Sequence, residues 1–214
     1  MNTSSRRDFL TKAGAAVGIG AAAVPLSTLL PFGRAVAQQV APELTDEDVA
    51  AFVESVELVA IDAYASATAS GKLSAGTAQA IAAFPAHHRE HASALASLAG
   101  SKAEGRPHPK FSDIVAGQLQ GAPGEKAVLQ ILFDLENAAA ATYLYALGAT
   151  KGERALTTAA SYLPAEAQHA VAVGQLLGKT LTDIIPAFEN QDRALDPTKF
   201  PLSTTTTSTT APEE

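Results

Sequence analysis

One pattern of apolar and polar residues occurs twice in this sequence, with the same spacing in both copies. Within each copy the matching residues are three or four positions apart, and residues with this spacing lie on one face of an α-helix. The first copy comprises Val49, Val53, Glu57, Ala60 and Tyr64, and the second comprises Val128, Leu132, Glu136, Ala139 and Tyr143. The sequence therefore predicts two equivalent helices, each with a carboxylate in the middle of its apolar stripe.

A second pattern also occurs twice and brings histidine into the same kind of stripe. Its copies are Ile81, Phe84, His88, His91, Leu95 and Leu98, and Ala159, Tyr162, Glu166, His169, Val173 and Leu176. Burying carboxylates and imidazoles costs free energy unless a partner compensates their charge. A divalent metal ion suits this mixture of oxygen and nitrogen ligands. The chain has no cysteine, so any metal must be held by histidine and carboxylate.

Capping residues and glycines divide the chain into helices. Thr45 with Asp48, and Thr150 with Glu153, have the spacing of capping boxes. Long helices are expected at 45–70, 74–100, 125–148 and 150–178, with a short fifth helix within 182–190. The links within each half are short, so each half forms an antiparallel hairpin. The predicted fold class is all-α: a four-helix bundle at 45–190, made of two hairpins joined by a long crossover in which His108 is solvated.

The register of the repeat decides which histidines of the second helix face the interior. Pro85 and Pro164 occupy matching places within the two helices, and a register fixed by these prolines would turn His87 inward. The register fixed by the apolar stripe differs by one position and turns His88 and His91 inward instead. We favour the stripe because its residues keep a single face, and a one-residue π-bulge would absorb the difference. Both prolines are expected to kink their helices.

These stripes resemble those of the ferritin-like superfamily. Bundles of that family take one glutamate from the first helix, Glu-x-x-His from the second, one glutamate from the third and Glu-x-x-His from the fourth, all pointing inward to two metal ions. The resemblance covers residues 45–178 and implies a set of metal ligands in this chain. Carried over by position, the set is Glu57, His88, His91, Glu136, Glu166 and His169.

The second helix departs from the family pattern, because His88 stands where the family has a bridging glutamate. Three carboxylates and up to three imidazoles then remain, and an imidazole cannot bridge two ions through a pair of oxygens. This departure favours one ion, with zinc, copper or a single iron as candidates. A site with two ions stays open if Asp62 or Glu90 moves in, or if an oxide or a water bridges the ions.

Two functions are compatible with these residues. The first is an exported ferritin-like metal-binding protein with redox, metal-scavenging or stress-protection activity. The second is a bundle without metal, in which the histidines and carboxylates form a hydrogen-bonded network. Such a bundle would have a structural or partner-binding role in the cell envelope. Catalysis and assembly into a homo-oligomer stay open in both.

The N-terminus resembles a twin-arginine signal peptide, which directs export. Positions 5–12 read SRRDFLTK, a mildly apolar run follows, and AVA at 35–37 offers small residues suited to cleavage. We expect a signal peptide at 1–37, a linker at 38–44 and a disordered Ser/Thr-rich tail at 191–214. The protein is then periplasmic, in the cell envelope or extracellular. Glycine and proline interrupt the apolar run, so it is a poor permanent membrane span. No later segment is apolar for long enough to replace it, so no permanent span is expected in the mature chain.

The charge of the chain argues against a nucleic-acid partner. Removing residues 1–37 removes four basic residues and one acidic residue, and moves the formal net charge from −7 to −10. Phosphate binding needs clustered lysine and arginine, which an acidic domain of this kind does not offer. An acidic domain does attract cations.

Export through the twin-arginine pathway can be tested at the arginine pair. Changing both Arg6 and Arg7 to lysine should leave the protein in the cytoplasm, because the export pathway recognises the arginine pair. Cell fractionation and immunoblotting would measure this, with Lys12→Arg as a control outside the pair. Normal export of the double-lysine variant would contradict the prediction.

Overall fold

The computed structural model describes residues 44–186 and 190–202. Within these residues every regular element is helical and no strand occurs. The predicted signal peptide lies outside the described residues, as do positions 38–43 of the predicted linker and positions 203–214 of the predicted tail. The all-α prediction is confirmed for the part of the chain that carries the two repeats.

Two hairpins of long helices form the bundle. The helices are α1 (Asp46–Ala69), α2 (Ala75–Ala80), α3 (Phe84–Ala99), α4 (Pro109–Gly121), α5 (Glu125–Ala149), α6 (Glu153–Leu176) and α7 (Leu181–Ile184), with a 3₁₀ turn at Gly100–Lys102. Helix α1 packs along α3, and α5 packs along α6, as the short links within each half require. The two hairpins meet mainly through α1 and α5, so the apolar stripes of all four long helices enclose one core.

The N-termini of α1 and α6 are capped in different ways. Thr45 and Asp48 form the predicted capping box, in which the Thr45 amide donates to the Asp48 carboxylate at 3.0 Å. The box predicted at Thr150 is wrong, because the hydroxyl of Thr150 donates to a carbonyl of the preceding helix. The carboxylate of Asp46 instead accepts from the amide of Gly152, the residue before α6. The start of α1 therefore supplies the cap of α6.

The second predicted helix is divided by a turn. Helix α2 ends at Ala80, residues 81–83 form turns, and α3 begins at Phe84. Pro85 therefore lies in the first turn of α3, where its missing N–H leaves no helical hydrogen bond unmade, and only Pro164 lies inside a helix. The predicted π-bulge does not occur among the described residues. Pro85 and Pro164 therefore do not occupy equivalent helix positions, and His88 and His91 face inward as the stripe predicted.

The crossover contains a helix that the sequence analysis missed. Phe111, Val115 and Leu119 of α4 are four residues apart and buried, so this helix packs an apolar stripe across α1 and α5. His108 precedes α4 and is buried rather than solvated, which corrects the expectation. Its Nε2 lies 3.2 Å from the carbonyl oxygen of Phe200, and its ring stacks on Phe111.

Residues 190–202 pack along the bundle, although the sequence analysis placed most of them in a disordered tail. Leu195 and Phe200 are buried, and the amide of Leu195 donates to the hydroxyl of Thr142 at 2.9 Å. Among the described residues, the expected fifth helix is represented by α7, which ends at Ile184. Among the described residues, no helix is long and apolar enough to cross a membrane.

Close packing between α6 and α7 can be tested at a buried glycine. A Cβ added to Gly174 would lie 2.6 Å from a methyl group of Ile184 and 3.0 Å from the ring of Phe133. Gly174→Ala should therefore lower the free energy of unfolding by about 1–3 kcal/mol. Gly117→Ala in helix α4 is the matched control, because the added carbon would contact nothing within 4 Å beyond its chain neighbours and the backbone of its own helix. The control should be neutral or slightly stabilising in urea denaturation, and equal midpoints for the two variants would contradict the packing argument.

Candidate metal centre

All four long helices contribute to one buried polar cluster in the middle of the core. Helices α1 and α5 each contribute one glutamate, α3 contributes two histidines, and α6 contributes a glutamate and a histidine. The six side chains are Glu57, His88, His91, Glu136, Glu166 and His169, and each is at most 6% exposed. These are the residues that the repeats predicted. Asp62 and Glu90 are exposed, so neither enters the cluster in this conformation.

His88 lies between two carboxylates at the centre of the cluster. Its Nδ1 is 2.7 Å from Oε2 of Glu57, and its Nε2 is 3.2 Å from Oε1 of Glu136. A neutral imidazole carries only one N–H, so donating to both carboxylates requires the charged form. Burial alone would lower the pKa of His88, but the charges and hydrogen bonds of Glu136 and Glu57 raise it well above its usual value. Without metal, His88 is therefore a cationic bridge between the two hairpins.

The pKa values of Glu57 and Glu136 are lowered by these histidines. Burial alone would raise both values. The hydrogen bond and charge of His88, followed by those of His91, lower the pKa of Glu57 to about 2. The charge of His88 and the contact with His169 hold the pKa of Glu136 well below its usual value. Both carboxylates are therefore ionised at neutral pH.

Two buried tyrosines hold these carboxylates from the opposite hairpin. The hydroxyl of Tyr64 on α1 donates to Glu136 on α5, and the hydroxyl of Tyr143 on α5 donates to Glu57 on α1. Burial and the nearby carboxylates raise the pKa of both phenols well above the usual value, so both remain donors. Each hairpin thus orients the glutamate of the other.

The equivalent histidines of the two copies, His91 and His169, are also covered from the opposite hairpin. Phe84 stacks on His169, with ring centroids 4.2 Å apart, and Tyr162 stacks on His91 at 4.1 Å. Phe84 and Tyr162 occupy equivalent positions in the two copies of the second pattern. The sequence analysis placed them in the apolar stripe, and the structure adds that each restrains an imidazole of the other half.

Several ligand atoms in the cluster have no hydrogen bond. They are His91 Nδ1, His169 Nδ1, Glu136 Oε2 and both carboxylate oxygens of Glu166. His91 Nδ1 nevertheless lies 2.8 Å from Oε1 of Glu166, and His169 Nδ1 lies 3.4 Å from Oε2 of Glu136. These atoms approach one another without the alignment of a hydrogen bond. Ligands that share an ion at 2.0–2.2 Å are about 3–3.5 Å apart, so the 3.4 Å separation matches a metal site and the 2.8 Å separation is slightly shorter.

Glu166 is the carboxylate with the least compensation. Burial, followed by the charges of Glu57 and Glu136, raises its pKa above the usual value. It also belongs to both sets of four residues whose ligand atoms lie within 4.8 Å of one another. The sets are Glu57, His88, His91 and Glu166, and His88, Glu136, Glu166 and His169. A cation between these side chains would relieve the unmet charge on Glu166.

The fold and the cluster agree with the family to which the chain is similar. The family model for the ferritin-like domain matches residues 45–179. The chain belongs to the ferritin-like domain family. No curated protein and no solved structure gives a significant match. The resemblance inferred from the repeats is confirmed, and His88 remains the departure from the family's glutamate pattern.

The sequence analysis did not find every residue around the cluster. His87, which the register of the stripe did not turn inward, is exposed, yet its Nδ1 lies 2.9 Å from Nε2 of His169. The repeat marked Tyr64 and Tyr143 but did not show that each donates to the other hairpin. Their equal spacing from Glu57 and Glu136 was the available signal.

Without metal, the stability of the ferritin-like domain should depend on pH through its histidines. Burial would lower the pKa of both His91 and His169. Contacts with Glu166 and Glu57 instead raise the pKa of His91 to about 9. Contacts with Glu136 and Glu166 raise the pKa of His169 to about 9. A raised folded pKa gives stability that is fully present below the unfolded value, about 6.5, and is lost as the pH rises through about 9.

Urea denaturation of chelator-treated protein between pH 6 and 10 would measure this. The midpoint should fall as the pH rises, and the double variant His91→Gln, His169→Gln should show a shallower slope. A midpoint that stays constant between pH 6.5 and 9.5 would contradict the raised pKa values.

Proposed function

We propose that this protein is an exported ferritin-like metal-binding protein. The observation that carries the proposal is the group of buried, unbonded ligand atoms centred on Glu166. Leaving such atoms without a partner is costly in a closed core, and a cation bound in either set of four residues would satisfy the unbonded atoms of that set. Each set takes residues from both hairpins, so a bound ion would also tie the hairpins together.

The donor set restricts the metal. Imidazole nitrogen and carboxylate oxygen suit iron, zinc and copper, whereas thiolate-dependent sites require cysteine, which the chain lacks. Iron or copper would supply one-electron chemistry and zinc would not. The residues themselves would hold the ion, keep the carboxylates oriented through Tyr64 and Tyr143, and exclude water through the stacked rings of Phe84 and Tyr162.

Charge balance favours one ion per chain. Three ionised carboxylates and three protonated imidazoles would carry no net charge, and the contacts of His88 with Glu57 and Glu136 favour the protonated form of this imidazole without metal. One divalent ion that displaces about two protons leaves the net charge unchanged. Two divalent ions would leave an excess of positive charge even if all three imidazoles were neutral. We therefore propose one tightly bound ion.

Redox, metal-scavenging and stress-protection activities are the candidate roles of such a site. Export is part of the proposal and is supported by the twin-arginine pattern of the N-terminus. That pathway carries folded proteins, so an ion can be inserted before transport. An exported protein that holds its metal inside a closed bundle keeps that metal through the passage.

A bundle without metal is the second candidate, and the position of His88 favours it. This imidazole already fills the centre of the cluster and bonds to one carboxylate of each hairpin. A network of this kind can specify one packing arrangement and leave a structural or partner-binding role. Ordered water would have to satisfy the unbonded oxygens of Glu166 to complete it.

Elemental analysis of protein purified without chelators and without a histidine tag distinguishes the two candidates. The metal-binding protein should carry about one equivalent of a transition metal, and calorimetric titration in buffers of different ionisation enthalpy should show release of about two protons per ion. If the purified protein carries no metal and binds none on titration with Zn²⁺, Co²⁺ or Fe²⁺, the metal-free bundle remains as the function.

The identity of residue 88 should set the number of ions. His88→Glu would restore the fourth carboxylate and the second bridge, so occupancy should rise from about one ion to about two per chain, and ferrous iron should become oxidisable by oxygen. The variant should also be less stable without metal, because four inward carboxylates repel one another. His88→Gln is the control, since it removes the imidazole without adding a charge and should not gain the second ion. Two ions in the native protein would refute this role of His88.

A further inference from the structure

The histidines at equivalent positions of the two copies differ at their outer nitrogen. His91 and His169 are equivalent in the repeat, and each is covered by an aromatic ring of the other hairpin. Nε2 of His169 lies 2.9 Å from Nδ1 of His87. Nε2 of His91 has no hydrogen bond with any described residue, and the position that matches His87 in the register of the apolar stripe is Ala165. The second half of the cluster therefore has a partner that the first half lacks.

The contact between His87 and His169 has the geometry of a hydrogen bond in the plane of the rings. The rings are inclined by only 12°, and their centroids are 5.2 Å apart, so the rings meet edge to edge. The distance of 2.9 Å between the two nitrogens is ideal for N–H donation. Phe84 lies against both rings, with centroid distances of 6.3 Å to His87 and 4.2 Å to His169. This packing restrains His87 although the residue is exposed at the surface.

The orientation of His169 assigns a role to each of its nitrogens. Nδ1 faces the cluster, 3.4 Å from Oε2 of Glu136 and 3.7 Å from Oε2 of Glu166. Nε2 faces outward to His87. An imidazole that binds metal through Nδ1 carries its hydrogen on Nε2, and such a hydrogen generally needs an acceptor that fixes the tautomer and the ring orientation.

We propose that His87 is a positioning residue for the metal centre. Its Nδ1 accepts the Nε2 hydrogen of His169 and so fixes His169 as an Nδ1 ligand. Metal then binds more tightly in the half of the cluster formed by Glu136, Glu166 and His169. This inference rests on the proposed metal-binding function. The opposite half, with Glu57 and His91, has no such support at its outer nitrogen. The two halves of the repeat thus differ at His87 as well as at His88.

A pair of variants isolates the hydrogen-bond acceptor. Asparagine can place its amide oxygen near the position of the histidine Nδ1, whereas leucine has a similar shape and offers no acceptor. His87→Leu should weaken Co²⁺ and Zn²⁺ binding by about 10–100-fold, and His87→Asn should stay within about threefold of the parent protein. Arg89→Ala, an exposed change on the same helix, is the control and should bind like the parent.

Competition titration with a chromophoric chelator would measure the affinities, and the d–d absorption of bound Co²⁺ would report the ligand set. The absorption bands should keep their positions in both His87 variants, because His87 is not itself a ligand. Circular dichroism should show that both variants are folded.

Each other outcome overturns a stated part of the proposal. Unchanged affinity in His87→Leu would remove the positioning role while the metal-binding function stands. Equal losses in His87→Leu and His87→Asn would show that the acceptor is not what matters, and shifted Co²⁺ bands would show that His87 coordinates the metal directly. If the parent protein binds neither Co²⁺ nor Zn²⁺, the proposed function fails together with the inference.

Discussion

Three carboxylates buried in a helical core are the constraint on which the rest of this structure depends. Glu57, Glu136 and Glu166 are almost completely removed from water, and an ionised carboxylate in such a place needs a compensating charge or a set of donors. Imidazoles from α3 and α6 supply the charge, and two phenols donate hydrogen bonds to the carboxylates. The exchange of protons for a metal ion follows from the same constraint, because both compensate the same oxygens.

The compensation crosses between the hairpins. Each tyrosine donates to the glutamate of the opposite half, and each aromatic ring of the second pattern covers the imidazole of the opposite half. Contacts within a hairpin, such as that of His88 with Glu57, leave part of the cluster without a partner. The complete cluster therefore forms only when the two hairpins associate, and its polar side chains help to specify how the hairpins pair.

Periodicity predicted the fold class and the composition of the cluster, because a fixed spacing on a helix determines which side chains share a face. The same reasoning selected His88 and His91 over His87. What it missed depends on contacts between distant segments. Thr150 has the local spacing of a cap, but Asp46 of another helix takes that role. The turn at residues 81–83, the burial of His108 against Phe200 and the packing of residues 190–202 likewise depend on partners that are remote in sequence.

The crossed tyrosine bonds could also form between two separate hairpins, but the residues of the cluster could not all be the same. Two identical copies of a single hairpin, paired about a twofold axis, could make the same reciprocal bonds and the same ring stacking. In such a symmetric dimer the positions of His88 and Glu166 would hold one and the same residue, so the cluster would contain two carboxylates or four, never three. A chain that carries two different hairpins can place an imidazole at one position and a carboxylate at the other. The even balance of three acids and three bases is therefore open to the joined chain and closed to a symmetric dimer of one hairpin.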